Sequence, residues 1–222
     1  MTKASANKID LQETHFFGEG AYQRCYVHPT QPDLCIKVLK ENVAADRVEN
    51  ELVYYKKLNR RALKNVSYPF FAAYKATVKT NFGDGFVYDL IRDETTGNIS
   101  KTLDRYLLEE NPAISLQVLE LAFKKFKKAM IQNRVVANDV RSYNICCRLK
   151  NDGNVELVLI DGLGHRDFFP FVDFSEYFAK KKLFRRLERF RMLTMEDHKK
   201  FLMQLKDDEA KGIEIADWIL PK

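Results

Sequence analysis

Apolar and polar positions alternate in the first part of the chain. His15-Phe16-Phe17, Ala21 to Val27 and Leu34 to Leu39 read as three short strands. Gly18-Glu19-Gly20 falls in the turn between the first two, and His28 to Asp33, with two prolines, falls between the second and third. The spacing then lengthens to three and four. Ala44, Val48, Leu52, Tyr55, Asn59 and Ala62 predict a helix over residues 43–62. Strand patterning returns over residues 68–78 and 86–91. The stretch Asn81-Phe82-Gly83-Asp84-Gly85 separates them, and its two glycines are expected to permit a hairpin turn. Residues 92–100 are polar and rich in turn formers, so a boundary is expected there. This divides the chain into a flexible arm (1–13), a sheet-and-helix unit (14–92) and a helical unit (93–222).

The second unit is patterned differently. Residues 102–108 read as a short helix. Residues 115–133 read as a long one, with Leu119, Ala122, Phe123, Phe126 and Met130 on one face. Ile145 to Leu149 and Val155 to Ile160 flank Lys150-Asn151-Asp152-Gly153-Asn154, a second hairpin. Asp161-Gly162-Leu163-Gly164 ends it. Helices are expected over 174–193, 196–206 and 213–220. No internal repeat is visible, and the class is α+β.

Composition narrows the setting. Of the 222 residues, 45% are hydrophobic and 31% charged, enough apolar material for a core and too much for extensive disorder. No apolar run approaches the roughly 20 residues that span a bilayer, and Met1 to Glu13 has no signal-peptide core, so a cytoplasmic location is expected. Cys25, Cys35, Cys146 and Cys147 all fall in predicted strands and form no Cys-x-x-Cys pair, as expected of buried free thiols. The histidines at 15, 28, 165 and 198 are scattered, and no zinc cluster is expected. The net charge of +6 is concentrated in Lys180 to Arg191. That block is a solvated helix face or a surface for an anionic partner.

Five features suggest chemistry. Glycines at 18 and 20 would let backbone amides approach phosphate oxygens. Lys37, on the same strand face as Cys35 and Leu39, needs an anion. Glu51 lies at the edge of the helix stripe, where it could reach back to the sheet and pair with Lys37. Asp139 and Asn144 sit five positions apart between a helix and a strand, and Asp161 directly follows an apolar run. Asp139 could orient a hydroxyl nucleophile, while Asn144 and Asp161 supply hard oxygen ligands suited to Mg²⁺. Taken singly, each has a plain structural explanation as a hairpin turn, an edge lysine, a helix charge or a local cap.

Their order resembles that of the protein kinases. The chain as a whole is similar to the YrbL family of the PhoP regulatory network, through Gly-Glu-Gly-Ala-Tyr-Gln-Arg-Cys-Tyr-Val, Cys-Ile-Lys, Phe-Val-Tyr-Asp-Leu-Ile and Asp-Val-Arg-Ser-Tyr-Asn-Ile. The resemblance implies a two-lobed fold with a truncated helical second lobe, ATP and Mg²⁺ as ligands, and a hydroxyl-bearing acceptor. It makes Tyr88-Asp89-Leu90 the hinge whose backbone would meet adenine, and puts Arg141 in the place of the catalytic-loop lysine. Four departures stand out. Gln23 replaces a third glycine, Ala137-Asn138 replaces His-Arg, and Gly162-Leu163-Gly164 follows Asp161 in place of Phe-Gly. No Ala-Pro-Glu occurs between Gly162 and Lys222, where a peptide-docking platform would lie. Small molecules, or sugars of the lipopolysaccharide or capsule class, become the implied acceptors. The alternatives are a pseudokinase acting as a regulatory binding module, and a basic protein that binds nucleic acid or an anionic surface through Lys180 to Arg191.

Overall fold

A computed structural model describes residues 8–44, 46–60, 70–108 and 114–164. After a 3-10 turn at Glu13–His15 come β1 (Phe16–Glu19), β2 (Gln23–Val27), β3 (Leu34–Leu39), α1 (Asp46–Arg60), β4 (Tyr74–Thr80) and β5 (Gly83–Asp89). They are followed by α2 (Leu103–Leu108), α3 (Leu116–Gln132), a 3-10 turn at Ser142–Asn144, β6 (Ile145–Leu149) and β7 (Val155–Leu159). The first five strands form an antiparallel sheet in the order β1-β2-β3-β5-β4, and β6 and β7 pair separately. This is an α+β arrangement, with the helix between the third and fourth strands and the lysine on the third, the order that the resemblance noted in the sequence implies.

Strand alternation gives the sheet two different faces. One carries Tyr26, Ile36, Val38 and Val87, closed over by Leu11. The other carries Cys35, Phe86 and Tyr88 and packs on Val48, Leu52, Tyr55 and Leu58 of α1. The same core continues through Phe126 and Met130 of α3 to Ile145, Leu157 and Leu159 of the small hairpin. Tyr55, Tyr74 and Tyr88 meet ring to ring at its centre, with centroids 5.3 to 6.2 Å apart. Two backbone hydrogen bonds, Ala72 N to Leu159 O (2.8 Å) and Leu159 N to Phe70 O (3.0 Å), fasten the approach to β4 onto β7. Lys37 therefore projects from the sheet face that looks toward β7.

Local sequence explains most boundaries. Ser115 caps α3, its hydroxyl accepting from Val118 N at 3.4 Å. Helix α1 starts at Asp46, later than the periodicity suggests, and Asn42 in the preceding turn is left-handed (φ 64°). The second hairpin turns at Gly153 (φ 78°) as expected. The first does not use both of its glycines. Gly83 (φ 97°) makes the turn, whereas Gly85 lies inside β5, where a Cβ would come within 2.6 Å of Ile36 Cγ2 and 2.7 Å of Thr80 Cγ2. Strand β4 begins at Tyr74, and residues 68–69 of the longer expected strand lie outside the described residues.

The arm expected over residues 1–13 is not loose at its end. Leu11 is buried, its amide donates to Asn81 Oδ1 (2.8 Å), and Ile9 bridges Thr80. All four cysteines are free thiols on strands. The helices expected beyond residue 164, and with them the Lys180–Arg191 block, lie outside the described residues.

Candidate functional site

The upper wall is built from β1, β2 and β3. Gly18 pairs with Cys25, and Gly20 N donates to Gln23 O (2.9 Å) to close the turn. Neither glycine has a left-handed φ, and a Cβ on either would meet nothing within 4 Å. Internal packing therefore does not demand glycine at these positions, and the space beside them is open. Lys37 sits between Cys25 on β2 and Phe86 on β5, and is buried. Its Nζ donates to Ile160 O at 2.8 Å, lies 3.9 Å from Asp161 Oδ2, and rests 4.9 Å over the Tyr88 ring. Burial, the largest single influence, would lower the pKa of this ammonium; Asp161, followed by Cys25, Tyr88 and Glu51, together outweigh it and hold the group above its ordinary range.

The lower wall is the loop from Val135 to Asn144 together with the residues after β7. Val135, Val136 and Ala137 are buried, and Ala137 bridges Leu163. Asn138 N donates to Gly162 O (2.8 Å) and Gly164 N to Val136 O (2.9 Å), so the two segments are laced together. The Asp139 carboxylate accepts from Arg141 Nε on Oδ1 (2.9 Å) and from Asn144 Nδ2 on Oδ2 (3.2 Å). Asn144 O in turn accepts from Ile160 N at 2.8 Å, the peptide next to Asp161. With its amide nitrogen committed, Asn144 has its Oδ1 to offer a ligand. Asp161 accepts from Gly162 N on Oδ1 (2.7 Å), and its side chain remains 44% exposed. Lys37, Asp139, Asn144 and Asp161 thus gather at one junction between the five-stranded sheet and the β6–β7 hairpin.

Two expectations about this site meet the geometry differently, and the first needs correction. The first is the pairing of Glu51 with Lys37. Among the described residues Lys37 pairs with Asp161, and Glu51 Oε1 instead accepts from Leu163 N at 3.3 Å. The lysine reaches down to the Ile160 carbonyl, while the glutamate is held by the backbone after Asp161. Burial, reinforced by the neighbouring Asp161 carboxylate, pushes Glu51 up to about 7, with Lys37 pulling the other way. The second expectation, at Tyr88-Asp89-Leu90, is narrowed rather than overturned. The Tyr88 side chain belongs to the core. The amides of Asp89 and Leu90 are already donated to Ala73 O (3.1 Å) and Asp33 O (2.8 Å), because β5 ends in pairing on both sides. Asp89 also uses its carboxylate internally, on Ala73 N (3.1 Å) and Lys75 Nζ (2.8 Å). These two N–H groups are therefore not available to a base at this edge.

Two further residues shape the site. Tyr54 of α1 is buried, and its hydroxyl accepts from Val136 N at 2.8 Å, tying the helix to the loop that carries Asp139. Its Cβ stands 3.4 Å from where a Cβ of Gly164 would be. The helical periodicity picks out Tyr55 and not Tyr54, and nothing in the sequence signals the Tyr54 hydrogen bond. Gly162 adopts φ 80°, and a Cβ there would fall 2.7 Å from Asp139 O. The residue after Asp161 is therefore glycine because Asp139 packs directly against it.

Among the described residues no three His, Cys, Asp or Glu side chains stand together as a metal cluster. One carboxylate and one amide oxygen suit a different mode, in which an ion takes its remaining ligands from phosphates and water.

Comparison with known proteins places the chain. "Uncharacterized protein YrbL" of Escherichia coli (strain K12) is 29% identical over 184 residues, covering 82% of this chain and 86% of that protein. The Shigella flexneri protein of the same name matches equally. Among solved structures, a double-mutant form of the Mycobacterium tuberculosis PknI kinase domain superposes with a TM-score of 0.44 at 16% identity. That superposition covers 73% of this chain and 62% of the PknI chain, so the chain spans less than two thirds of that domain. A single-mutant form of the same domain gives the same TM-score, with 76% of this chain and 66% of the other covered. The model of the PhoP regulatory network protein YrbL family matches residues 9–194, and the chain belongs to that family.

Proposed function

We propose that the protein is an ATP- and Mg²⁺-dependent phosphotransferase acting on a hydroxyl acceptor, either a small molecule or a sugar of the lipopolysaccharide or capsule class. The observation that carries this reading is the convergence of Lys37, Asp139, Asn144 and Asp161 from distant parts of the chain. Lys37 lies 3.9 Å from Asp161, and Asn144 lies 3.2 Å from the Asp139 carboxylate. Lys37 would neutralise phosphate charge, and the open space beside Gly18 and Gly20 suits the approach of phosphate oxygens to the backbone. Asp161 and the Asn144 amide oxygen would hold Mg²⁺, whose chemistry is to offset charge on the phosphates.

Asp139 would orient the acceptor hydroxyl and take its proton as the new O–P bond forms and the bond to the ADP oxygen breaks. Arg141, held 2.9 Å from Asp139, keeps the carboxylate aimed and adds positive charge beside the transferring group. An anionic partner at Lys180–Arg191 would fit the same reading by steering a charged acceptor. No helix among the described residues is long and apolar enough to cross a membrane, and a cytoplasmic setting is proposed with the activity.

One observation favours a second reading, a binding module without turnover. The amides of Asp89 and Leu90 are consumed inside the chain, leaving fewer donors for a base. A single experiment separates the two. Titration of the full chain with ATP, with and without Mg²⁺, is followed by measurement of ADP release in the presence of candidate acceptors. The phosphotransferase predicts Mg²⁺-dependent binding and turnover, both lost in Asp161→Asn. Binding that ignores Mg²⁺, without turnover, supports the module. Absence of nucleotide binding by the folded protein refutes both.

A further inference from the structure

The third glycine expected of the β1–β2 turn is Gln23, and its side chain is not idle surface. It is only 9% exposed, and its Nε2 is buried with no hydrogen-bond partner. Buried amide donors are nearly always paired, since leaving one unmade forfeits its hydration for nothing. Such a donor in an otherwise well-packed region is one for which a partner remains to be supplied.

Strand alternation says which way it points. On β2, Arg24 and Tyr26 face the outer side of the sheet: Tyr26 packs with Ile36 and Val87, and the Arg24 guanidinium lies 4.7 Å over the Phe16 ring. Gln23, Cys25 and Val27 therefore face the other side. Cys25 is directly opposite Lys37 in the register, and Gln23 is opposite Leu39, which packs into the core beneath the sheet. Gln23 thus stands two residues further along the same wall that carries Lys37, at the turn whose glycines leave open space. Cys25 between them brings no charge, because burial pushes its thiol up and keeps it protonated.

We propose that Gln23 is a phosphate-binding residue, its side-chain amide donating to an oxygen of the polyphosphate that Lys37 neutralises. In this chain a side-chain donor does work that a glycine would leave to the backbone. The proposal rests on the nucleotide reading above and adds a residue to it. It also explains why the loss of a glycine here is compatible with a phosphate site. A buried donor fixed on a strand is pre-organised, so it loses little entropy on binding.

The test uses the full chain with Gln23→Met, which keeps length and volume but removes the donor. Calorimetric titrations with MgATP, inorganic tripolyphosphate and adenosine are compared with the wild type, with Lys37→Met as a reference. A hydrogen bond to a charged oxygen predicts about a ten- to hundredfold loss of affinity for MgATP and tripolyphosphate. Adenosine affinity stays unchanged. The variant also melts at or above the wild-type temperature, since an unpaired buried amide has been removed.

Unchanged MgATP affinity in Gln23→Met, while Lys37→Met loses it, overturns the proposal and leaves the nucleotide reading standing. An equal loss for adenosine, or a lower melting temperature with phosphate affinity retained, makes Gln23 structural and overturns it too. Wild-type protein that binds neither MgATP nor tripolyphosphate takes both readings down.

Discussion

Replacing Gly162 by alanine tests the junction between Asp139 and the residues after Asp161. The perturbation has two parts. Gly162 is left-handed (φ 80°), and an L side chain there costs about 1–2 kcal/mol. The new Cβ would also sit 2.7 Å from Asp139 O and 3.0 Å from Asp139 Cβ, and a backbone carbonyl cannot rotate away as a side chain can. Overpacking of that kind adds about 1–3 kcal/mol, for a total of about 2–5 kcal/mol. Gly97 supplies the control: it is also left-handed (φ 71°), but a Cβ there meets nothing within 4 Å. At roughly 2–4 °C per kcal/mol for a chain of this size, Gly97→Ala lowers the melting temperature by about 2–8 °C and Gly162→Ala by about 4–20 °C. Far-UV circular dichroism melts of the two variants, run in parallel, give the difference directly. Relief of the clash moves Asp139, so Gly162→Ala should also weaken any activity that depends on that carboxylate. Equal destabilisation by the two alanines would refute the close packing of Gly162 on Asp139.

Three other outcomes follow from the geometry. Tyr54→Phe keeps the ring but strands the buried Val136 N–H, so it should cost about 1–3 kcal/mol in urea denaturation and speed hydrogen exchange at Val136; a wild-type exchange rate there contradicts the bond. Glu51 titrates above its unfolded value. Its protonated form is therefore favoured by folding, and the stability this contributes is present below the unfolded pKa, near 4.5, and lost as pH rises through about 7. Glu51→Gln should flatten that part of the stability profile, measured in EDTA, and an unchanged profile argues against a raised Glu51. Lys37→Met should leave the fold intact by circular dichroism while reducing MgATP affinity by about tenfold or more, on the order of a charge-assisted hydrogen bond, and retained affinity would remove Lys37 from the site.

Legibility in the sequence tracks locality. Helix α3 is readable from Ser115 and five apolar residues because caps and periodicity are short-range properties. Asp139 and Asn144 are readable because five positions of loop fix their relation, and Asp161 because it ends a strand. The partnership of Glu51 with Lys37 is misjudged because it depends on how far α1 stands from β3, which no local pattern encodes. That the Asp89 and Leu90 amides are taken is hidden for the same reason: their acceptors, Ala73 and Asp33, come from separate segments. Gly85 looks like a turn glycine beside Gly83, and only the approach of Ile36 and Thr80 reveals it as a packing glycine. Gln23 is visible only as a missing glycine, since burial of its amide is a tertiary fact.

The resting contacts of Lys37 bear on whether the site can accept a polyphosphate. Its hydrogen bond goes to the neutral carbonyl of Ile160, at 2.8 Å, while the Asp161 carboxylate is farther away, at 3.9 Å. That second distance lies beyond a hydrogen bond, so the pair is held by Coulomb attraction alone. Turning the ammonium toward a phosphate oxygen therefore exchanges a neutral acceptor for a charged one, which strengthens the bond. Asp161, released from its share of that charge, would be left facing Glu51, and burial already keeps the Glu51 carboxyl above its ordinary range. Two carboxylates side by side favour either a proton or a cation between them. A ligand that brings both phosphate and a divalent ion satisfies Lys37 and Asp161 together, whereas a phosphate alone satisfies only the lysine. Mg²⁺ and nucleotide should accordingly bind with positive coupling, and nucleotide affinity indifferent to Mg²⁺ would mean that Asp161 does not face the ligand.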